Sequence, residues 1–377
     1  MTPAILNEPR SDEAPAGQNS AITVVAGLLG RPSDGVLMER ALALAARSPL
    51  ADPNPRVGCV LVADDGRIVG EGWHHGAGTP HAEVEALDAA GPDAAGATAY
   101  VTLEPCNHQG RTGPCAQALL RAGVRRVVYA QADPNPPASG GAATLAAGGV
   151  EVLGGVRAAE ATHLNAAWTF SVTHGRPFVT WKVAGTLDGR AAAADGTSAW
   201  ITGQPARLDV HRLRSHCGAI VVGTGTVLAD DPRLTVRRPD GTNAPRQPVR
   251  VVVGRRAIPG DARVLSSEAP TLLLEEDPVG VLARLQEVGI RHVWLEGGAT
   301  LAAAFLTAGL VDEIVAYIAP ALLGSGLPLV GGLGIVTLAD AHRFALADVT
   351  RLGDDVRLTL RPLPDPSEPQ QPTPGKE

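Results

Sequence analysis

The sequence predicts two layered α/β domains in tandem. Three observations lead there. At 377 residues the chain exceeds one average domain, so two are expected. Short apolar runs of strand length alternate with helical patterns, the mark of a sheet covered by helices. The alternation weakens between Ala158 and Pro177 and then resumes, which places the boundary there. The expected organisation is a flexible arm over 1–32, a first domain over 33–165, a second over 177–362, and a disordered tail over 363–377 rich in Pro, Glu and Gln.

In order along the chain, Asp34 is read as the N-cap of a helix through Val36, Met38, Leu42 and Ala45, apolar at helical spacing. Gly58 to Val62 reads as a buried strand, Asp64-Asp65-Gly66 as a turn, and Arg67 to Gly72 as the returning strand. A helix is expected over His81 to Ala89. Thr98 to Leu103 is a strand that carries Glu104-Pro105-Cys106 to the start of another helix. Cys115 to Ala122 is helical and Val124 to Ala130 a strand. A helix ending over Thr144 to Gly149 precedes a strand over Val150 to Leu153. In the second domain, strands are expected over 178–184, 219–222, 249–253, 271–274, 292–296 and 313–318. Helices are expected over 204–215, 279–287 and 301–308.

Composition narrows the class of protein. Apolar residues make up 45%, ample for two cores, and no run of about 18 apolar residues is present, so no membrane span is expected. Thirty-nine acidic residues against 32 basic ones give a net charge of −7, without the basic footprint of a nucleic-acid partner. Met1 to Ser20 lacks the apolar stretch of a secretory signal. Four cysteines suit a reducing cytoplasm better than a disulfide framework.

The chemistry begins at His81-Ala82-Glu83, Pro105-Cys106 and Cys115. One imidazole and two thiolates are ligands that zinc takes. Three of them leave a fourth tetrahedral position for water, as in catalytic rather than structural zinc sites. Glu83 is placed to move protons there without binding the metal. The helix N-terminus at His81 favours negative charge. This is the His-x-Glu … Pro-Cys arrangement of zinc-dependent nucleobase deaminases, although eight residues rather than two separate the cysteines. The plain alternative makes His81 a helix-start residue and the cysteines core hydrophobes. Cys59 sits mid-strand and reads as a buried apolar residue; Cys217 has no partner at ligand spacing. His74, His75 and His108 fall in loops, where substrate contact and solvation are equally open. In the second half no Gly-x-Gly-x-x-Gly opens a strand–helix unit. Glu296-Gly-Gly-Ala-Thr-Leu before a helix could admit a phosphate to backbone N–H groups, and is also ordinary turn chemistry.

Three segments carry a resemblance: Asp52-Pro-Asn-Pro-Arg-Val-Gly-Cys, Gly78-Thr-Pro-His-Ala-Glu-Val, and Thr102-Leu-Glu-Pro-Cys-Asn-His-Gln-Gly-Arg-Thr-Gly-Pro-Cys. Together they resemble the deaminase half of the bifunctional riboflavin-biosynthesis deaminase/reductase family, which has this longer loop between the cysteines. Gly113 departs from a usual proline, and Pro137-Ala-Ser-Gly-Gly departs from a usual charged loop. The segments from Lys182, Ser198, Gly223, Glu296 and Ala308 are similar to the reductase half of that family, over nearly all of 177–330. The resemblance implies a cytidine-deaminase-like domain followed by a dihydrofolate-reductase-like domain that uses NADPH. It implies zinc on His81, Cys106 and Cys115, Glu83 as the catalytic residue, and Asn54 and Asp133 facing the pyrimidine. It also implies cofactor contacts at Ala184, Trp200, Thr226 and Asp230 and at Gly298, Ala299, Thr300 and Leu301. Substrate contacts would be Ser198, Arg214, Leu234, Arg237 and Glu296. Arg214 and Arg237 suit a sugar phosphate as bidentate donors, with surface arginines as the alternative. Lys182 either touches substrate or pairs with Asp188.

The expected protein is a cytoplasmic homo-oligomer acting on a phosphoribosylaminopyrimidine, with neither nucleic acid nor membrane as partner. Its first domain hydrolyses the 2-amino group of 2,5-diamino-6-(5-phosphoribosylamino)pyrimidin-4(3H)-one; its second reduces ribosyl to ribityl with NADPH. Two rivals stand beside it. One is a nucleoside or tRNA deaminase with an accessory domain, disfavoured by the acidic balance. The other is a zinc-stabilised nucleotide-sensing module, disfavoured by an intact Glu83.

Overall fold

The computed structural model describes residues 32–109 and 113–363, so the expected arm and tail fall almost wholly outside the described residues. Two large sheets carry the structure. The first has the order β2–β1–β3–β4–β5, formed by β1 (Gly58–Val62), β2 (Ile68–Trp73), β3 (Thr98–Leu103), β4 (Arg126–Gln131) and β5 (Glu151–Leu153). β1 is antiparallel to β2 and β3, whereas β3, β4 and β5 are parallel. Every residue of β1 and β3 is buried, so both appear as nearly unbroken apolar runs rather than as alternation.

Helices α1 (Asp34–Ala45), α2 (Ala82–Ala90), α3 (Cys115–Arg121) and α4 (Gly141–Ala147) surround this sheet. Leu37, Met38 and Ala41 of α1 pack with Val60, Val62 and Tyr100. Ala82, Ala86 and Ala90 of α2 pack with Cys59, Leu61 and Val101. The approach is close enough to demand glycine. A Cβ at Gly58 would lie 2.1 Å from the Ala41 carbonyl oxygen, and one at Gly72 would lie 2.3 Å from that of Ala82.

The second sheet has the order β10–β9–β8–β11–β6–β12–β15–β14. Its strands are β6 (Phe178–Thr186), β8 (Ala219–Gly223), β9 (Val249–Val253), β10 (Thr271–Leu274), β11 (His292–Leu295), β12 (Glu313–Ala319), β14 (Phe344–Leu352) and β15 (Asp355–Pro362). From β10 to β12 neighbours are parallel, and β15 and β14 close the sheet antiparallel. A small pair, β7 (Arg190–Ala192) with β13 (Leu327–Pro328), stands apart. Helices α7 (Gln204–Arg214), α8 (Thr224–Asp230), α9 (Pro278–Glu287) and α10 (Ala299–Thr307) belong to this half.

Several local expectations are corrected. Ser33, not Asp34, is the N-cap of α1; the Asp34 carboxylate instead accepts from the Tyr100 hydroxyl at 2.8 Å and from both Arg126 Nη atoms at 2.9 Å. Cys106 lies in a loop rather than at a helix start, because the next helix begins only at Cys115. The weakened stretch after Ala158 folds into two helices, α5 (Ala158–Leu164) and α6 (Ala166–His174), with α5 against β4 and α6 against β6 and β11. The C-terminal hairpin β14–β15 was not anticipated.

Candidate active sites

His81 is the N-cap of α2, Cys106 follows β3, and Cys115 is the first residue of α3. These positions bring three ligand atoms together. His81 Nδ1 is 3.2 Å from Cys115 Sγ and 3.6 Å from Cys106 Sγ, and the Cys115 amide donates to Cys106 Sγ at 3.4 Å. With Zn–S near 2.3 Å and Zn–N near 2.0 Å, the edges of a tetrahedral site come to roughly 3.5–3.8 Å, so the donor set and spacing fit zinc. Among the described residues this is the one cluster of three potential ligands whose atoms lie within 4.8 Å of each other. Cys59 and Cys217 are buried elsewhere. Hydrogen bonding from Cys115 and His81 draws the Cys106 thiol down to about 4, and the same contact pushes Cys115 up.

Glu83, the second residue of α2, is only 4% exposed. Burial, with the Cys106 charge beside it, pushes its carboxyl up to about 7. A group near neutrality both accepts and returns protons.

His81, Glu83 and Cys106 line a cavity of about 370 Å³ whose walls also include Asn54, His74, Glu104, Asp133 and Asn135. His74 is fixed as a neutral tautomer. Its Nδ1 donates to the Pro80 carbonyl at 3.3 Å, and its Nε2 accepts from Asn54 Nδ2 at 3.1 Å. Desolvation lowers its pKa, which favours that state. Among the described residues Asn54 Oδ1 accepts no hydrogen bond. The buried Glu104 carboxylate accepts from the amides of Asp133, Gly140 and Ala142 at 3.0–3.2 Å, fixing the loop that presents Asp133. Burial pushes the Asp133 carboxyl up to about 6. Of the three loop histidines, His74 and His108 line the cavity, while His75 faces outward and pairs with Glu85 at 3.1 Å.

A second, larger cavity of about 800 Å³ lies beside β6 and β11. It gathers Ala184, Ser198, Trp200, Arg214, Asp230, Leu234, Arg237 and Glu296, eight of the positions singled out above, together with Lys182 and His211. Glu296 follows β11 and anchors this site. Arg214 grips it through Nη2 at 2.6 Å and through Nε, the Trp294 indole donates at 2.5 Å, and its carboxyl is held down at about 2 against the cost of burial. Lys182 faces Glu296 and Arg214, and burial lowers its pKa. It does not pair with Asp188, which instead accepts from Thr186 Oγ1 at 2.5 Å and from the Leu323 and Gly324 amides. Arg214 also donates to the Thr235 carbonyl, whereas among the described residues the Arg237 side chain has no ion-pair partner. Leu234 holds a left-handed backbone at φ 51° while only 4% exposed, a strained conformation at the cavity wall. Thr226 and the α10 start form an adjacent patch. Gly298 is the N-cap of α10, and a Cβ there would meet Thr226 Oγ1 at 3.4 Å. Ala299 and Thr300 line a shallower depression with Gly331 and Gly332, beside Leu301 on α10.

Residues 32–131 match the cytidine and deoxycytidylate deaminase zinc-binding region, and residues 177–358 match the RibD C-terminal domain. Over 310 residues the chain is 51% identical to the riboflavin biosynthesis protein RibD of Mycobacterium tuberculosis, covering 82% of this chain and 91% of that one. The chain belongs to the RibD family. Its RibD relative in Escherichia coli is 45% identical over 365 residues, covering 87% of this chain and 99% of that protein. Among solved structures, Acinetobacter baumannii RibD superposes with a TM-score of 0.81 at 42% identity, covering 88% and 99% of the two chains. A Thermotoga maritima protein described as a diaminohydroxyphosphoribosylaminopyrimidine deaminase and 5-amino-6-(5-phosphoribosylamino)uracil reductase matches with a TM-score of 0.78 at 34% identity, covering 88% and 99%. Like its RibD relatives, the chain joins a cytidine-deaminase-like domain to a reductase domain. It is an enzyme of riboflavin biosynthesis with both activities, zinc for one and NADPH for the other.

Within this RibD-family frame, sequence reasoning missed the residues that arrive from a distance. Trp168 and Ser171 of α6, with Gln286 and Arg291 from the second half, wall the cavity at His81 and Glu83. No motif marks them, because their placement depends on how α6 and α9 pack.

Proposed function

We propose that His81, Cys106 and Cys115 hold the zinc and that Glu83 is the proton carrier of the deamination. The supporting observation is the close triad with a buried carboxyl of near-neutral pKa on its flank, in one cavity with Asn54 and Asp133. Bound zinc would supply the Lewis acid that makes water nucleophilic near neutral pH. Glu83 takes one proton of the attacking water and delivers it to the ring nitrogen; it then takes the remaining hydroxyl proton as the new carbonyl forms and passes it to the amine, which leaves as ammonia. Asn54 Oδ1 accepts from the pyrimidine, and Asp133, held by the Glu104 scaffold, faces it from the opposite loop. The substrate in this reading is 2,5-diamino-6-(5-phosphoribosylamino)pyrimidin-4(3H)-one, and the deaminated product passes to the second site.

There bound NADPH would supply the hydride, and the protein's own residues orient both reactants. Ala184, Trp200, Thr226 and Asp230, with Gly298 to Leu301, receive the cofactor. Ser198, Arg214, Leu234, Arg237 and Glu296 receive the phosphoribosyl substrate. Among the described residues the Arg237 side chain has no ion-pair partner, which leaves it for phosphate, whereas Arg214 keeps Glu296 ionised. The domains run over 33–165 and 177–362. No helix of the described residues is long and apolar enough to cross a membrane. A cytoplasmic homo-oligomer without a nucleic-acid partner belongs to the same reading. It is supported by the net charge of −7, by cysteines without disulfides, and by Leu346 and Val349 exposed on the edge strand β14.

The test is a coupled assay of ammonia release and NADPH oxidation on the diamino substrate. Glu83→Gln should keep zinc and lose deamination by on the order of 10²–10⁴-fold, with reduction of already deaminated substrate nearly unchanged. Asp230→Ala should show the reverse pattern. Loss of both activities in folded, zinc-loaded Glu83→Gln protein would overturn the two-site assignment.

A further inference from the structure

We infer that Arg291, a residue of the reductase half, holds the 5′-phosphate of the deaminase substrate. The inference rests on the deaminase reading above and adds a cross-domain residue to that site. The zinc cavity has two ends. One is the chemical end of His81, Glu83 and Cys106; the other is walled by α6 and by Gln286 and Arg291 from beyond the domain boundary. The far wall is fixed, not incidental. Ser171 Oγ donates to Gln286 Oε1 at 3.0 Å, pinning α9 to α6, and Arg291 Nε donates to the Pro53 carbonyl at 3.3 Å.

That last contact places the guanidinium beside Asn54, which is one residue along the chain and bonded to His74. The His74 ring lies 6.0 Å from that of His81. Arg291 therefore stands on the same rim as the ring-binding residues, but one step further from the metal ligands. Its charge is not answered by the protein. Among the described residues it makes no ion pair, its two Nη groups have no partner, and desolvation alone lowers its pKa. The neighbouring cations around the interdomain cleft differ. Arg246 pairs with Asp52 at 3.4 Å and Arg361 with Glu313 at 3.3 Å, while Arg56 donates to the Ala46 carbonyl and does not line the zinc cavity. A half-buried guanidinium without a counterion is costly unless an anion completes it. A phosphate monoester does so with the bidentate geometry that arginine favours. The substrate then lies with its pyrimidine at the zinc end and its phosphate under Arg291.

The experiment compares deamination of the phosphorylated diamino substrate with that of its dephosphorylated riboside, in wild-type protein, Arg291→Gln and Arg291→Lys. Losing a charge-assisted pair should raise KM for the phosphorylated substrate on the order of tenfold to a hundredfold in Arg291→Gln. kcat, zinc content and KM for the riboside should stay level, and Arg291→Lys should recover part of the loss. Reduction of deaminated substrate serves as the folding control, since Arg291 does not line that cavity. Ribose 5-phosphate should compete with substrate in the wild-type deaminase, and ribose should not. An unchanged KM in Arg291→Gln, an equal loss on both substrates, or no competition by ribose 5-phosphate would overturn the assignment. Absence of ammonia release from the wild-type protein on either substrate would instead refute the deaminase reading beneath it.

Discussion

Glu296→Gln should cost the second domain roughly 3 kcal/mol at pH 7. The carboxylate and its Arg214 partner are 11% and 12% exposed, so solvent screens the pair little. Burial by itself would raise the Glu296 pKa, and the value of about 2 is reached because Arg214, Lys182 and the Trp294 indole outweigh it. The gap between about 2 and the ordinary 4.5 corresponds to roughly 3 kcal/mol favouring the folded ionised form. Removing one partner of a buried pair and stranding the other costs about 3–5 kcal/mol, which agrees. The sign follows from a depressed acid. The stabilisation is fully present above the unfolded pKa near 4.5 and is lost as pH falls from there toward about 2. Urea unfolding followed by tryptophan fluorescence reports on this domain through Trp181, Trp200 and Trp294. The wild-type midpoint should fall steeply below pH 4.5, and that of the variant, lower at pH 7, should fall less. A variant within about 1 kcal/mol of wild type at pH 7, or one with the same acid slope, would refute the reasoning.

Metal analysis of Cys106→Ser or Cys115→Ser protein should show zinc largely lost, and Cys59→Ser should retain it; stoichiometric zinc in both of the former would remove them from the ligand set. Gly141→Ala should loosen the metal without touching a ligand, since a Cβ there would sit 1.7 Å from the Pro105 carbonyl oxygen and displace the loop that carries Cys106; zinc affinity equal to wild type would show that the loop yields freely. Gly298→Val should fold normally, because its Cβ meets only Thr226 Oγ1 at 3.4 Å, yet should weaken NADPH in a titration while leaving ammonia release intact. Unchanged NADPH affinity would move the phosphate away from the α10 start.

What could be read directly from the residues follows burial. Strands buried along their whole length, such as Gly58–Val62 and Thr98–Leu103, show as apolar runs and were located to within a residue. The edge strand β14 is exposed at most of its positions, with Leu346 and Val349 on its surface, so neither a run nor an alternation marks it. The helices α5 and α6 escaped for a related reason. Each is short and buries few side chains (Ala161 in one, Trp168 and Ser171 in the other), too few to set up a helical stripe. The cluster of His81, Cys106 and Cys115 was legible because the zinc chemistry proposed for it needs particular residue types, here at two helix starts and in the loop after β3. Glu104 stood in plain view inside the same motif, but its work of holding the amides of Asp133, Gly140 and Ala142, some thirty to forty residues later, exists only in three dimensions.

The placement of the two cavities decides how the two reactions relate. His292, the first residue of β11, lines a cleft that shares Pro53, Asn54, Trp168 and Arg291 with the cavity at His81 and Glu83, while Glu296, just past the other end of the strand, lines the second cavity. At about 3.3 Å per residue the strand separates those two positions by roughly 13 Å. They stand at the two ends of one strand of the sheet core, with Val293, Trp294 and Leu295 buried between them. In the proposed reading the two reactions are therefore served from opposite ends of this strand. A change in Arg291, next to His292, should leave the Glu296 end of the sheet in place, and a change in Glu296 should leave the zinc cavity's far wall intact. The same strand that joins the two sites keeps their chemistry apart.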